Sequence, residues 1–176
     1  KDPDSIKVWH IATGECVKTF MTPSFMPRGG EFPHFLWSSD GRYLARMTET
    51  AIHVHDSKHG FDCVPDDKGK KAIKFPDGLQ GFDWSPSQNI ISAWIPEKDN
   101  VPARLVILEI KENSRVEIAG KNLFNVRDAS MHWQPEGKFL CVKAMRMSRS
   151  KKTGQVHLEI FRVMEKNVPV ETVEIK

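Results

Sequence analysis

Three tryptophans recur at nearly equal intervals along the chain. Trp37, Trp84 and Trp133 are separated by 47 and then 49 residues. Each ends a short apolar run, which is followed by a turn rich in Ser, Pro, Gly or Asn and then by a second apolar run. A repeat of this length, with two strand-like runs joined by a tight turn, is typical of the blades of a β-propeller. The sequence therefore predicts an all-β fold.

Superposing the three copies predicts three four-stranded antiparallel blades, with strands a to d running outward from the propeller axis. The predicted strands are 34–37, 43–47, 51–55 and 71–75 in the first blade, 81–84, 90–94, 104–110 and 116–119 in the second, and 129–133, 139–144, 156–163 and 170–175 in the third. Two earlier runs, 6–9 and 17–20, predict strands c and d of a preceding blade.

The predicted organisation is one partial propeller domain. It divides into half a blade over 1–21 and full blades over 22–76, 77–120 and 121–176. Because closure takes four or more blades, we expect this chain to be a piece of a larger propeller.

Composition excludes several classes of protein. A hydrophobic content of 39% fits a folded domain, and a net charge of +3 is too small to indicate nucleic-acid binding by the whole surface. The chain shows no signal peptide at its start and no apolar run near the ~20 residues that cross a bilayer, so a soluble protein without membrane contact is predicted. Three cysteines that are far apart favour a reducing, cytoplasmic setting.

The strongest electrostatic feature is the segment 143–152, which carries five cations and no acid. It is predicted to form the b–c loop of the third blade, on one rim of the propeller. Such a loop suits contact with phosphates, and it equally suits a solvated loop that is kept polar for solubility. The candidate RNA or ribosome contacts are Lys143, Arg146, Arg149, Lys151 and Lys152.

Catalytic and metal motifs are weak. His53, His55 and His59, followed by Cys63, offer ligand types that zinc prefers, but two histidines on strand c are more simply explained as strand residues. The sequence has no G-x-S-x-G elbow and no glycine-rich phosphate loop after a strand. We therefore expect no catalytic residue, no metal, no cofactor and no small-molecule substrate.

Several ordered segments closely resemble the propeller of the b subunit of eukaryotic translation initiation factor 3. They include 43–47, 84–86, 94–97, 101–104, 122–126, 132–134, 140–143, 159–162 and 165–170. The resemblance implies a non-catalytic scaffold that joins other subunits of the factor. It also implies contact with proteins and RNA of the small ribosomal subunit during assembly of the pre-initiation complex.

Two alternatives remain open from sequence. One is the propeller of a prolyl-oligopeptidase-like serine hydrolase, in which similar Trp-Ser-Pro turns recur. The other is a generic protein-docking propeller unrelated to translation.

Overall fold

The computed structural model describes residues 5–21, 35–66, 68–112, 114–147 and 154–175. Within these ranges the chain forms β-strands and one 3-10 turn, at Ser57–His59, and the strands form four antiparallel sheets. They are β1 (Ser5–His10) and β2 (Glu15–Met21) in the first sheet; β3 (Phe35–Trp37), β4 (Tyr43–Met47), β5 (Ala51–Asp56), β6 (Asp62–Cys63) and β7 (Ala72–Lys74) in the second; β8 (Gly81–Trp84), β9 (Ile90–Ile95), β10 (Ala103–Lys111) and β11 (Ser114–Leu123) in the third; and β12 (Val126–Trp133), β13 (Phe139–Met147), β14 (Gly154–Arg162) and β15 (Val170–Ile175) in the fourth.

Each sheet is built from strands that are consecutive in the chain. The third sheet has the order β8-β9-β10-β11 and the fourth the order β12-β13-β14-β15. This is the up-and-down arrangement of a propeller blade, and the two-stranded first sheet supplies the predicted half blade. The predicted fold class is confirmed: the chain is all-β and forms a propeller fragment.

Tight turns between the first two strands of each blade follow from side-chain chemistry. In the first blade, Ser38 Oγ donates to Asp40 Oδ1 at 2.6 Å and accepts the Tyr43 amide at 2.9 Å. Gly41 has φ +68°, in the left-handed region that glycine occupies without steric cost. Gly137 takes the same place in the third blade with φ +71°, and a Cβ there would collide with the Ser87 hydroxyl of the second blade.

The sheets pack face to face, and strand β9 shows this most clearly. Alternate residues of β9 point to opposite faces, as the two-residue period of a strand requires. Ile91 packs in a cluster with residues of the first blade, whereas Ile90 and Trp94 pack in a cluster with residues of the third. All six residues of β9 are buried. The blades are therefore held together by apolar contacts on both faces of the middle sheet.

The repeated tryptophans lie at the junctions between blades. The Trp84 indole Nε1 donates to the Leu36 carbonyl of the first blade at 3.0 Å, and the Trp133 Nε1 donates to Ser92 Oγ of the second blade at 3.1 Å. Trp37 has the same position in the first blade, and it is 45% exposed. Within the described residues the preceding half blade contributes only β1 and β2, and Trp37 packs edge-on against the Phe61 ring of its own blade, with ring centroids 5.9 Å apart.

The outer edge of the first blade differs from the prediction. A single strand d over 71–75 was expected, but β6 and β7 both pair with β5, at His55–Cys63 and at Ile52–Ile73. Val64 still donates its amide to the Val54 carbonyl at 2.8 Å, and the chain then leaves the ladder before it returns at Ala72. Strand d of this blade is therefore one edge strand that is interrupted by a loop.

Two further strands are longer than predicted. Strand β13 runs to Met147 instead of ending at residue 144, because Arg146 pairs with both Val126 and Gln155. Strand β11 runs from Ser114 to Leu123, so the boundary expected between residues 120 and 121 falls inside it. The described residues include no helix long and apolar enough to cross a membrane.

Candidate nucleic-acid interface

The structure places two of the five predicted contact residues on a strand. Lys143 and Arg146 belong to β13, whereas Arg149, Lys151 and Lys152 lie outside the described residues. An odd separation along a strand puts the Lys143 and Arg146 side chains on opposite faces of the sheet. Lys143 is exposed, and no carboxylate of the described residues forms an ion pair with it.

The Arg146 side chain is held by a buried carboxylate. Its Nη2 lies 2.7 Å from Oε1 of Glu159, which has no exposed surface. The other oxygen, Oε2, accepts from Lys121 Nζ at 2.5 Å and from Thr172 Oγ1 at 2.6 Å. We call these four residues the Glu159 cluster. Because Lys121 belongs to β11 and Glu159 to β14, the cluster joins the second blade to the third.

Burial by itself raises the pKa of Glu159, since removal from water disfavours the charged form. The hydrogen bonds from Lys121 and Thr172 and the charges of Lys121 and Arg146 oppose that effect and hold the pKa below its ordinary value. Glu159 is therefore ionised at neutral pH, and it neutralises part of the charge that the sequence assigned to an RNA contact.

The histidine and cysteine group of the first blade is engaged in local structure. His55 Nδ1 donates to the Phe61 carbonyl at 3.0 Å, and Cys63 Sγ lies 3.5 Å from the same nitrogen. His59 instead contacts Asp56, at 3.0 Å. Among the described residues, no group of three or more His, Cys, Asp or Glu side chains is arranged to hold a metal.

A cysteine beside a histidine also raises the question of a nucleophile. Burial lowers the pKa of His55 to about 4, so this imidazole is neutral at physiological pH. Burial also raises the pKa of the Cys63 thiol, which keeps it protonated. A reactive thiolate needs the opposite shift, so this pair has the electrostatics of packed core groups.

One open cleft, of about 710 Å³, lies between the second and third blades. Its apolar lining includes Ile110 and Val168, and its acidic residues are Glu109 and Glu165. Both acids have cationic partners, Lys111 at 3.0 Å and Arg162 at 3.7 Å. The cleft therefore presents no pair of free carboxylates for acid–base chemistry.

A second basic segment was missed in the sequence. Lys68, Lys70 and Lys71 are exposed on the loop that interrupts strand d of the first blade. The backbone carbonyls of Lys70 and Lys71 accept hydrogen bonds from Arg115 of the second blade, at 2.6 and 3.1 Å. The run Lys-Gly-Lys-Lys was a visible signal, but the arginine that fixes it lies more than forty residues away.

Comparison with known proteins finds similarity to translation initiation factors. A family model described as eukaryotic translation initiation factor eIF2A matches residues 121–176. The B subunit of eukaryotic translation initiation factor 3 is 38% identical in Culex quinquefasciatus over 97% of this chain, and 37% identical in Xenopus laevis over all of it. The chain corresponds to a segment of this B-subunit family. It spans about a quarter of the length of these relatives, 25% and 24% respectively.

Solved structures support the fold of this B-subunit segment. A crystal structure of a eukaryotic initiation factor superposes with a TM-score of 0.62 at 21% identity, over 86% of this chain and 34% of that one. Sqt1 of Chaetomium thermophilum, bound to the N-terminus of the ribosomal protein L10, superposes with a TM-score of 0.56 at 15% identity, over 90% of this chain and 39% of that one. At these identities the likeness concerns the fold alone.

Proposed function

We propose that this chain is part of a non-catalytic scaffold subunit of eukaryotic translation initiation factor 3. The observation that carries the proposal is the similarity to the B subunit of that factor, at 38% identity over 97% of the chain. The stacked sheets support it physically, because a stiff framework holds its surface loops in place. Little further entropy is lost when a partner binds such loops.

In this proposal the partners are the other subunits of the factor and the small ribosomal subunit, both its proteins and its RNA. The setting is assembly of the pre-initiation complex in the cytoplasm. The scaffold uses no cofactor and no small-molecule substrate.

The proposal includes the division of the chain into half a blade, 1–21, and full blades over 22–76, 77–120 and 121–176, with strand β11 extending the second blade to Leu123. Exposed apolar groups support further strands at both ends of the stack: the rest of the half blade beside the first blade, and another blade beside the third. Trp37 is 45% exposed on one face, and Phe139 and Val173 are 40% and 44% exposed on the other. Their burial against neighbouring sheets would contribute about 25 cal/mol per Å² of apolar surface removed from water.

The alternatives from sequence have less support. Similarity along the whole chain to the B subunit favours the initiation factor over a peptidase propeller, and it favours translation over an unrelated docking role. A full-length coding sequence with G-x-S-x-G downstream of this segment would favour the peptidase instead.

The ribosomal contact can be tested through the basic segment 143–152. The variant Arg149→Gln, Lys151→Gln and Lys152→Gln leaves Arg146 unchanged, because that side chain pairs with Glu159. It also leaves Lys143 unchanged, because Lys143 lies on the same face of β13 as Phe139, where a further blade is proposed. Binding of the full-length protein to purified small ribosomal subunits is measured between about 50 and 200 mM salt. We expect the slope of log affinity against log salt to become shallower by about 0.7–0.9 for each phosphate that the variant no longer neutralises.

The matched control neutralises three exposed lysines elsewhere, Lys7, Lys98 and Lys166. It should leave the slope unchanged. An unaltered slope in the first variant removes the segment from RNA contact. Failure of the parent protein to bind small subunits or other subunits of the factor would contradict the proposed function itself.

A further inference from the structure

We propose that the loop of Asp66, Lys68, Gly69, Lys70 and Lys71 is a second basic surface that binds the phosphate backbone of RNA. We call it the pinned loop. The inference rests on the proposed function, because it names a further part of the surface that meets the ribosome.

The pinned loop lies on the outer wall of the propeller. It leaves the edge strand of the first blade after Val64 and returns at Ala72. Lys68, Lys70 and Lys71 are all exposed, and so is Lys74 on β7. These cations belong to the first blade, whereas Lys143 belongs to strand β13 of the third blade, so the loop and Lys143 lie on different sheets.

A closed turn fixes the backbone of the loop. Asp66 Oδ1 accepts the amides of Lys68 and Lys70, at 2.9 and 2.7 Å, and the Asp66 amide donates to the Lys70 carbonyl at 3.0 Å. Gly69 donates its amide to the Asp66 carbonyl and has φ +75°, a conformation that favours glycine. The backbone amides of the turn therefore form their hydrogen bonds within the turn, and the lysine side chains remain exposed to a partner.

Arg115 holds this turn against the second blade. Its guanidinium donates to four backbone carbonyls between 2.6 and 3.1 Å, and its side chain is only 6% exposed. The carbonyls belong to Val64, Lys70, Lys71 and Ala72. Asp66 Oδ2 lies 3.8 Å from Nη2 of the same guanidinium, so the negative charge of Asp66 is offset by the positive charge of Arg115. Arg115 is therefore a positioning residue for the loop.

The chemistry of the surface fits phosphate. No ion pair joins Lys68, Lys70 or Lys71 to a carboxylate among the described residues, while Asp67 adds one acid to the sequence. Residues 64–74 include no aromatic side chain on which a base could stack. Lysines without aromatics indicate contact with the sequence-independent backbone of RNA. Bidentate recognition of a protein carboxylate would instead be served by arginine.

Lysines at an exposed sheet edge also discourage pairing with a second chain. That role needs no rigid turn and no buried arginine, because a mobile charged edge repels as well as an ordered one. The fixed backbone of the loop instead favours a binding role, because a loop that is already ordered loses less conformational entropy when a partner binds.

The direct test is the variant Lys68→Gln, Lys70→Gln and Lys71→Gln in the full-length protein. Its binding to purified small ribosomal subunits, and separately to a 20-base-pair RNA duplex, is measured across salt. We expect the salt slope to become shallower by about 2–3, since three phosphates are no longer neutralised. The control Lys7→Gln, Lys98→Gln and Lys166→Gln removes the same charge from other exposed positions and should bind like the parent.

The outcomes separate the two proposals. If the parent binds small subunits and the pinned-loop variant keeps its slope, the inference is wrong and the proposed function stands. If the parent does not bind, the proposed function fails. If poly-glutamate of equal charge competes as well as the RNA duplex, the surface is an acidic-protein site and the RNA assignment is overturned. If the variant self-associates while its RNA binding is unchanged, the lysines serve to prevent edge-to-edge pairing of two chains, and the RNA assignment is again overturned.

Arg115→Met tests the role of the pinning. The three lysines remain, so the salt slope should stay near that of the parent, whereas affinity falls because the loop must be ordered on binding. Amide hydrogen exchange of Lys68 and Lys70 should speed up by about tenfold or more. Arg104→Met, which removes a 45%-exposed arginine paired with Glu117, is the control. Faster exchange without loss of affinity would show that order does not contribute to binding.

Discussion

Replacing Trp84 with alanine is expected to lower the free energy of unfolding by about 3–5 kcal/mol, the usual cost of deleting a buried aromatic ring. The side chain is 6% exposed and stacks on Tyr43, with ring centroids 6.4 Å apart. Its removal also leaves the Leu36 carbonyl without the indole donor that now lies 3.0 Å away. Urea unfolding of the 176-residue chain, followed by circular dichroism, gives the measurement.

The repeat supplies the control for this variant. Trp37→Ala changes the same residue type at the equivalent position, where the side chain is 45% exposed and meets the Phe61 ring edge-on, and should cost only about 1–2 kcal/mol. Trp84→Phe keeps most of the ring but loses the donor, and we expect a loss of about 1–3 kcal/mol. Equal losses at positions 37 and 84 would contradict the packing of the first and second blades.

Glu159→Gln is expected to lower the free energy of unfolding by about 2–3 kcal/mol. Removing one partner from a buried ion pair costs about 3–5 kcal/mol, but Lys121 and Arg146 are 28% and 29% exposed and regain some hydration. Glu174→Gln, at a side chain that is 68% exposed on the neighbouring strand, is the control and should change stability little. A loss no larger than that of the control would show that the Glu159 cluster does not join the blades.

The same carboxylate predicts a dependence on pH. Its pKa in the folded chain lies below the ordinary 4.5, so the unfolded chain takes up the proton first as the pH falls. The stabilisation from Glu159 is therefore complete above about pH 4.5 and disappears as the pH falls through the lower folded pKa. Over that acidic range the parent should lose stability more steeply than Glu159→Gln. Parallel curves for the two proteins would contradict this assignment.

Local sequence chemistry was sufficient to predict several strands with their bounds. The range 81–84 of β8 and the range 170–175 of β15 agree with the structure, because Gly and Pro turns and alternating apolar residues define them without reference to the rest of the fold. The near-equal spacing of Trp37, Trp84 and Trp133 likewise predicted the repeat of the blades. Turns and alternating apolar residues depend only on neighbours within a few positions, so they can be read from the sequence without knowledge of the fold.

Contacts between blades could not be predicted in this way. Arg146 was assigned to a loop, yet it pairs across β13 and β14 and meets Glu159, while Lys121 joins the same carboxylate from another sheet. The pinned loop likewise depends on Arg115, which the packing of two sheets brings beneath it. Partners of this kind are set by strand register and by sheet-on-sheet packing, neither of which is visible in the composition of a loop.

The most direct test of a stacked, contact-making scaffold is a cryo-electron microscopy structure of the full-length protein in the initiation factor bound to the small ribosomal subunit. We expect three sheets packed face to face, with the Trp84 indole on the Leu36 carbonyl and at least one of the pinned loop and the segment 143–152 against ribosomal RNA. Sheets that are separated from one another, or two basic surfaces that both face solvent, would contradict the account.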